Sequence, residues 1–355
     1  MADIDVVIPC YNYAHYLEGC VASILSQRDV DVRILIIDDY SPDNTEEVGR
    51  SLAAKDPRIH YSKNPQNLRL IATANRGILD WAESRYTLLI SADDALTPGA
   101  LARAVVILDQ HPEAGMLYGM AVMMGSDGPP PQVADIRSPE HVIMHGPDYI
   151  RHVCKNGNAV PSPCAIVRTN LQQILGGYEP TLPHTSDMEM WLRFASHSSV
   201  AIVNAPQGYY RWHSSNMSQA FIGQELSDRK EQIDTLRKLL SEAGESIPDL
   251  STWVIDAERR LVDEALMIAS QKRSEPSGSV SRQALRFALK FDRWFFLRPR
   301  NWKPVVKIVL QTIRPSFDNV PNETDETSDG QTGAPEAHQW FSPGQQIGWW
   351  PERKA

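Results

Sequence analysis

The sequence predicts an α/β protein built on a mostly parallel, Rossmann-like sheet flanked by helices, and three observations lead there. The first 125 residues alternate short apolar, β-branched runs with stretches whose apolar residues recur at helical spacing, the pattern of βαβ units. The connections between them are short. Two of the apolar runs, Ile34-Leu35-Ile36-Ile37 and Leu88-Leu89-Ile90, stop at paired carboxylates, Asp38-Asp39 and Asp93-Asp94. Runs this continuous suit strands of a parallel sheet buried on both faces, and ligands of open α/β sheets bind just beyond the carboxyl ends of such strands. Acidic pairs at that edge are poorly placed for folding and well placed for chemistry, because like charges close together raise one another's pKa or require a cation. The hard cation suited to carboxylate oxygens and a diphosphate is Mg²⁺ or Mn²⁺.

Residues 6–9 are the first strand of the series. Leu17, Val21, Ile24 and Leu25 mark the helix that follows, and residues 32–37 return as a second strand. Asn44 with Glu47 three residues on has the spacing of a capping box for the next helix. A third strand over 58–62, a helix over 71–84 and a fourth strand over 86–91 come next, after which Thr97 and Pro98 offer a cap and a first-turn proline for another helix. Gly and Pro over 125–131 break the regular pattern and set a boundary inside the domain. Residues 188–195 read as a short helix of bulky side chains. Tyr209-Tyr210-Arg211-Trp212-His213 reads as a strand ending in polar groups, and the core fold closes near Ser218. Residues 226–240 and 253–270 are amphipathic helices of a helical annex over 219–314. The tail from 315 to 355 is polar, acidic and rich in Pro and Gly, the composition of a disordered segment apart from its aromatic Trp349-Trp350 end.

A hydrophobic fraction of 42% over 355 residues supports a sizeable core, and a net charge of −9 argues against general nucleic-acid binding, which needs a basic footprint. Cys10, Cys20, Cys154 and Cys164 have no paired spacing, so neither a zinc site nor a disulfide framework is signalled and a reducing cytosol fits. The amino terminus lacks a basic-then-apolar leader, and no run of about 18 apolar residues occurs, so a soluble or peripheral protein is expected. One segment departs from the acidic average. Residues 282–314 hold nine basic side chains against one acid, interleaved with Phe287, Phe291, Trp294, Phe295, Phe296 and Trp302. That mixture suits an anionic membrane face, and equally a helical annex packed on the core with its cations solvated.

With both aspartate pairs and the strand order in hand, residues 4 to about 218 resemble the family 2 glycosyltransferases, which have the GT-A fold. Val6-Val7-Ile8-Pro9-Cys10-Tyr11-Asn12-Tyr13 is similar to the family's opening strand and loop, and Ile36-Ile37-Asp38-Asp39-Tyr40-Ser41-Pro42-Asp43 to its second-strand motif. Ser91-Ala92-Asp93-Asp94 with Pro98 is similar to its D-x-D region. Gly176-Gly177-Tyr178-Glu179, followed by Asp187 and by Trp191-Leu192-Arg193, is similar to its acceptor-side motif. The resemblance implies a nucleotide-binding half over 1–124 and an acceptor half over 125–218. It also implies metal-dependent, inverting transfer of one sugar from a nucleotide-diphosphate sugar, with UDP-sugars favoured, to a glycan or lipid-linked acceptor in surface polysaccharide or glycolipid assembly. By the same resemblance Pro9 and Tyr11 line the base pocket, Asp39 hydrogen-bonds the nucleobase, Asp93 reaches the ribose or sugar, Asp94 holds the Mg²⁺ or Mn²⁺, and Asp187 is the general base. His213 touches the metal or a phosphate after loop closure. The implied location is cytoplasmic, peripheral at the inner face of the membrane.

Several residues carry a second, structural reading. Asp38 suits an Asx turn after its strand, Asp187 a helix cap, and Trp191 either a core anchor or a sugar platform. Four departures from the family pattern bear on the chemistry. Ser91 stands where many relatives carry a further acid, and Ser186 where an acid often precedes the base. Arg69 stands where Gly is common, its guanidinium reaching a phosphate or filling the surface. Gln207 and Arg211-Trp212 are one residue too far apart for the motif of processive synthases, which favours single-sugar addition. Two other functions compete: a non-catalytic GT-A-like scaffold module, conceivable given Ser91 and Ser186, and a sugar nucleotidyltransferase, whose Gly-rich loop with Arg and Lys is absent after the first strand.

Overall fold

The structure, a computed structural model, describes residues 2–216, 224–271, 279–313 and 342–351. The chain divides into two compact units, the first Met1–Asn216 with Trp340–Ala355 and the second Met217–Gln339.

In the first unit β1 (Ile4–Cys10), α1 (Ala14–Leu25), β2 (Val32–Asp38), α2 (Thr45–Lys55), β3 (Ile59–Lys63), α3 (Arg69–Asn75) and β4 (Tyr86–Leu89) give the anticipated alternation. After a short β5 (Ala95–Leu96) come α4 (Ala100–Gln110), β6 (Ala114–Met124), β7 (His141–Met144), α5 (Gly146–Asn156), β8 (Ile166–Arg168), α6 (Thr169–Leu175), α7 (Ser186–His197) and β9 (Ser199–Arg211). The strands form one sheet in the order β3-β2-β1-β4-β8-β6-β9-β5, parallel across β3-β2-β1-β4 and between β6 and β9, with β8 antiparallel to both of its neighbours. All seven residues of β1 are buried, as a strand covered by helices on both faces requires. Its Ile4, Val6 and Ile8 pack in one core cluster with Leu17, Val21 and Ile24 of α1 and with Ile34 and Ile36 of β2.

Three local expectations are revised. Asn44 begins α2 without a side-chain cap; Asp43 instead accepts from the Thr45 N–H at 3.1 Å and from its hydroxyl at 2.5 Å. Thr97 does not cap α4, which starts after Gly99; its hydroxyl donates to the Pro206 carbonyl at 2.7 Å and pins β9. The helix predicted over 71–84 is α3 followed by a π-helical stretch, Arg76–Trp81. It stops there because the Glu83 and Ser84 N–H groups turn to the buried Asp5 carboxylate, at 2.7 and 2.8 Å. Gly77 lets that stretch lie directly on β1, since a Cβ there would come within 2.4 Å of Val7.

The aromatic end of the tail belongs to the first unit. β10 (Gln346–Ile347) pairs antiparallel with β6 at Val122 and Ala121, continuing the edge that β8 occupies further along the strand. The Trp349 ring stacks on His152 of α5 with centroids 3.5 Å apart. The rest of the expected disordered tail, 315–341 and 352–355, and the expected core end at Ser218 lie outside the described residues.

The second unit is helical: α8 (Glu225–Ala243), α9 (Leu250–Gln271), α10 (Ser279–Phe291) and α11 (Trp302–Ile313). Ile233, Leu236, Leu261, Leu266, Ala284 and Ile308 are fully buried within it. Asp263 of α9 ties in the 298–301 turn, accepting from Arg298 Nη2 and Asn301 Nδ2 at 2.6 Å each and pairing with Arg300. No helix among the described residues is long and apolar enough to cross a membrane.

Candidate active site

Parallel order β2-β1-β4 sets the ends of three strands side by side, about 5 Å apart. Pro9, next to last in β1, lies opposite Ile37, and the Asp39 N–H donates to the Cys10 carbonyl at 2.8 Å, zipping the two strand ends together. Tyr11 stands out from the loop, 47% exposed. Asp38 takes a structural part, though not as the expected Asx turn: Oδ1 accepts from the Ser41 N–H three residues on at 2.8 Å, which caps the loop, and Oδ2 from the Tyr61 hydroxyl at 2.9 Å. Asp39 faces the other way. Its Oδ1 accepts from Asn64 Nδ2 at 2.7 Å and from the Leu68 N–H at 2.8 Å, which draws the loop carrying Arg69 to the strand end. Arg69 has φ of 67°, the left-handed region, and its side chain is exposed. That conformation is the reason a glycine suits this position. Asp39 thus bonds both to Cys10, between Pro9 and Tyr11, and to Leu68, the residue before Arg69.

Beyond β4, Asp93 and Asp94 are each 5% exposed. The end of β9 folds over them. Asp94 Oδ1 accepts from the Arg211 N–H at 2.9 Å, the Arg211 Nε donates to the Asp93 carbonyl at 2.7 Å, and His213 Nε2 meets Asp93 Oδ2 at 3.0 Å. Asn216 Nδ2 donates to the Arg211 carbonyl at 3.0 Å, and Ser215 accepts the Tyr13 hydroxyl at its carbonyl, 2.8 Å away. The Arg211 guanidinium lies over the Tyr16 ring, and the Tyr13 and Tyr16 rings both flank His213. Burial, then the charge of Asp93, pushes the Asp94 carboxyl well above the usual carboxylate range. Burial also pushes the Tyr13 phenol up to about 12, keeping it neutral.

No group of three His, Cys, Asp or Glu side chains among the described residues forms a ready-made metal site. Asp93 Oδ1, however, is buried without a hydrogen-bond partner, beside a second carboxyl that burial makes costly to ionise. One orphaned acidic oxygen next to another acid fits a cation whose remaining ligands come from a diphosphate and water. His213, anticipated at the metal, meets Asp93; a direct bond from its Nε2 to a cation would require giving up that contact.

Asp187 lies in the first turn of α7. Asn158 Nδ2 donates to its Oδ2 at 3.0 Å, and the Met188 N–H to its Oδ1 at 2.7 Å. Two tyrosines face its charge: burial raises the Tyr149 and Tyr178 hydroxyls, and Asp187 adds to both. Trp191 is 2% exposed against Tyr178 and Phe194, so it anchors the core and is no sugar platform. Gln207 is likewise structural, its Oε1 taking the Arg103 Nε and its Nε2 donating to the Ala100 carbonyl. Asn64, Asn158 and Asn216 escaped sequence reasoning, since a lone Asn carries no motif. Tyr13 and Tyr16 sat in the opening motif and next to it, where only the fold reveals that they flank His213.

A family model described as Glycosyl transferase family 2 matches residues 5–168. Chondroitin synthase of Pasteurella multocida is 36% identical over 98 residues, 28% of this chain and 10% of the synthase. The succinoglycan biosynthesis protein ExoA of Rhizobium meliloti is 24% identical over 236 residues, 61% of this chain and 62% of that protein. The chain therefore spans about a tenth of the first and under two thirds of the second. A solved structure of S. aureus TarS 1-349 in complex with UDP-GlcNAc shares the fold, with a TM-score of 0.63 at 15% identity over 87% of this chain and 89% of that one.

Proposed function

Since residues 5–168 belong to glycosyltransferase family 2 and the first unit carries its GT-A fold, we propose that this chain moves one sugar from a nucleotide-diphosphate sugar to an acceptor hydroxyl with inversion. The observation that carries the proposal is the pair of buried acids at the end of β4, one oxygen of which has no partner. Asp94, and Asp93 in place of the ribose or sugar contact expected of it, would hold Mg²⁺ or Mn²⁺, which when bound supplies positive charge against the leaving diphosphate. Pro9 and Tyr11 flank the nucleobase. Asp39 keeps its second oxygen for a base N–H while its first holds the Asn64–Leu68 loop, and Arg69 on that loop meets the phosphates.

Asp187 takes the proton of the acceptor hydroxyl. The α7 amino terminus and the Asn158 amide hold its carboxylate anionic, which orients it and weakens it as a base. Desolvation by the bound acceptor, against the buried Tyr149 and Tyr178, restores basicity. Inversion follows from a single displacement with no enzyme nucleophile. A glycan or lipid-linked acceptor of surface polysaccharide or glycolipid assembly is the class we favour, as the names of the chondroitin and succinoglycan relatives suggest.

The test is thermal stabilisation by UDP-, GDP-, CDP- and dTDP-sugars, each with and without Mn²⁺, followed by release of nucleoside diphosphate with candidate acceptors. Saturating ligand at about 100 times its Kd adds roughly 2.7 kcal/mol. A Mn²⁺-dependent shift for one nucleotide, UDP first, is the expected outcome. Absence of any shift across all four would leave a GT-A-like binding module in its place.

A further inference from the structure

We propose that the second unit presents a preformed docking face for an anionic lipid bilayer, made by the 294–297 turn and the outer side of α11. Trp294, Phe296, Leu297, Trp302, Val306 and Leu310 are 60, 45, 63, 59, 58 and 54% exposed. Scattered single apolar residues on a surface are ordinary; six large ones on adjoining elements are not.

Their arrangement is fixed from within. Trp302, Val306 and Leu310 recur at i, i+4 and i+8 and form one stripe along α11, while Ile308, on the other side of the helix, is 0% exposed in the unit's core. The exposed Trp302 ring is held by its own indole N–H, which donates to the Phe296 carbonyl at 2.8 Å. The Trp294 and Phe296 rings lie 6.0 Å apart, so the aromatic part of the face is one cluster.

Charge selects the occupant. Asp263 and Asp292 are consumed by Arg298, and Asp263 also by Arg300, which cancels the acids near the face. Lys303 and Lys307 remain exposed, about 100° round the helix from Trp302 and Val306. Arg293 is exposed beside Trp294. An apolar stripe of Trp, Phe and Leu bordered by cations, with Asp263 and Asp292 among the described residues already paired, matches the boundary between acyl chains and anionic headgroups. A protein partner of acidic character would leave the apolar stripe without a match, and a second copy would bring like charges together.

The test uses the full chain and vesicles of phosphatidylglycerol with phosphatidylcholine in equal parts, against phosphatidylcholine alone, read by flotation and by Trp emission. The expected result is binding to the anionic vesicles with a blue shift in emission. Trp302→Ser with Leu310→Ser, and separately Lys303→Glu with Lys307→Glu, should each lower the bound fraction at least tenfold. Circular dichroism should be unchanged, because all four side chains are exposed. Binding to anionic vesicles that both double variants retain would overturn the proposal, as would absence of binding by the wild-type chain. Self-association without vesicle binding, abolished by the Trp302→Ser pair, would also overturn it and assign the face to copy–copy contact. Sugar transfer plays no part in the readout, so the failure of one proposal leaves the other standing.

Discussion

Asp94→Asn should make the protein more stable and inactive at once. Asp94 is 5% exposed, with Asp93 beside it and the Arg211 N–H as a donor at 2.9 Å. Burial and Asp93 raise its carboxyl pKa above the unfolded value of about 3.9. A group raised in this way contributes stability below its unfolded pKa and loses it as pH rises through the folded one. At pH 8 without a divalent ion the wild type therefore bears the cost of either ionising Asp94 or keeping it protonated. Asparagine keeps an oxygen for the Arg211 N–H and does not ionise. Like charges roughly 4–8 Å apart cost on the order of 2–4 kcal/mol at an effective dielectric of ~20. Relaxation and the Arg211 guanidinium take up part of that, which leaves about 1–2 kcal/mol, or roughly 2–8 °C in Tm for a domain of this size. Differential scanning fluorimetry at pH 8 in a chelator should show that gain, and it should shrink toward pH 5. Adding Mn²⁺ and donor should stabilise the wild type and leave the variant unmoved, with transfer down by about 10²–10⁴. A variant less stable than the wild type in chelator at pH 8 would refute the reasoning, because it would make the carboxylate a net stabiliser in that state.

Asp5→Ala leaves Arg33 with Glu83 as its only acid partner among the described residues and strands the Glu83 and Ser84 N–H groups, so it should cost about 2–4 kcal/mol, read as a lower denaturant midpoint. Burial pushes the Asp5 carboxyl up, but Arg33 and the backbone donors outweigh it and hold it below its ordinary value. Its contribution is thus present above about pH 3.9 and fades as pH falls through the lower folded value, where the variant's deficit should close. For Asp187→Asn, donor-induced stabilisation should persist while transfer falls by about 10²–10⁴; an equal fall in donor binding would make Asp187 only a cap. Arg69→Gly relieves a left-handed backbone by about 1 kcal/mol and should raise Tm by a few degrees while weakening donor binding, measured calorimetrically. Unchanged donor affinity would remove Arg69 from the phosphate site.

What the sequence disclosed follows from the range of the forces involved. Strands β1, β2 and β4 were legible because burial on both faces writes a continuous apolar run, and Asp39, Asp93 and Asp94 because they interrupt it. The end of the helix expected over 71–84 was not legible, since what stops it is Asp5, more than seventy residues back in the chain and a neighbour only once β1 and β4 pair. The Asn44–Glu47 spacing misled for a local reason: Asp43, one residue earlier, reaches Thr45 first. His213 was singled out for its chemistry, but its contact with Asp93 spans 120 positions and is set by the antiparallel pairing of β9 with β5, which follows Asp93-Asp94. A two-residue strand such as β10 has no period to detect.

That strand also decides how the chain is laid out. Because Gln346 and Ile347 complete a sheet begun at Ile4, the second unit is an insertion into the first, tied to it at both of its ends. Two tethers restrict the reach of an inserted unit far more than one would. The Trp349 stack on His152 is then a clasp that holds the returning chain on α5, close to the point where β10 joins the sheet.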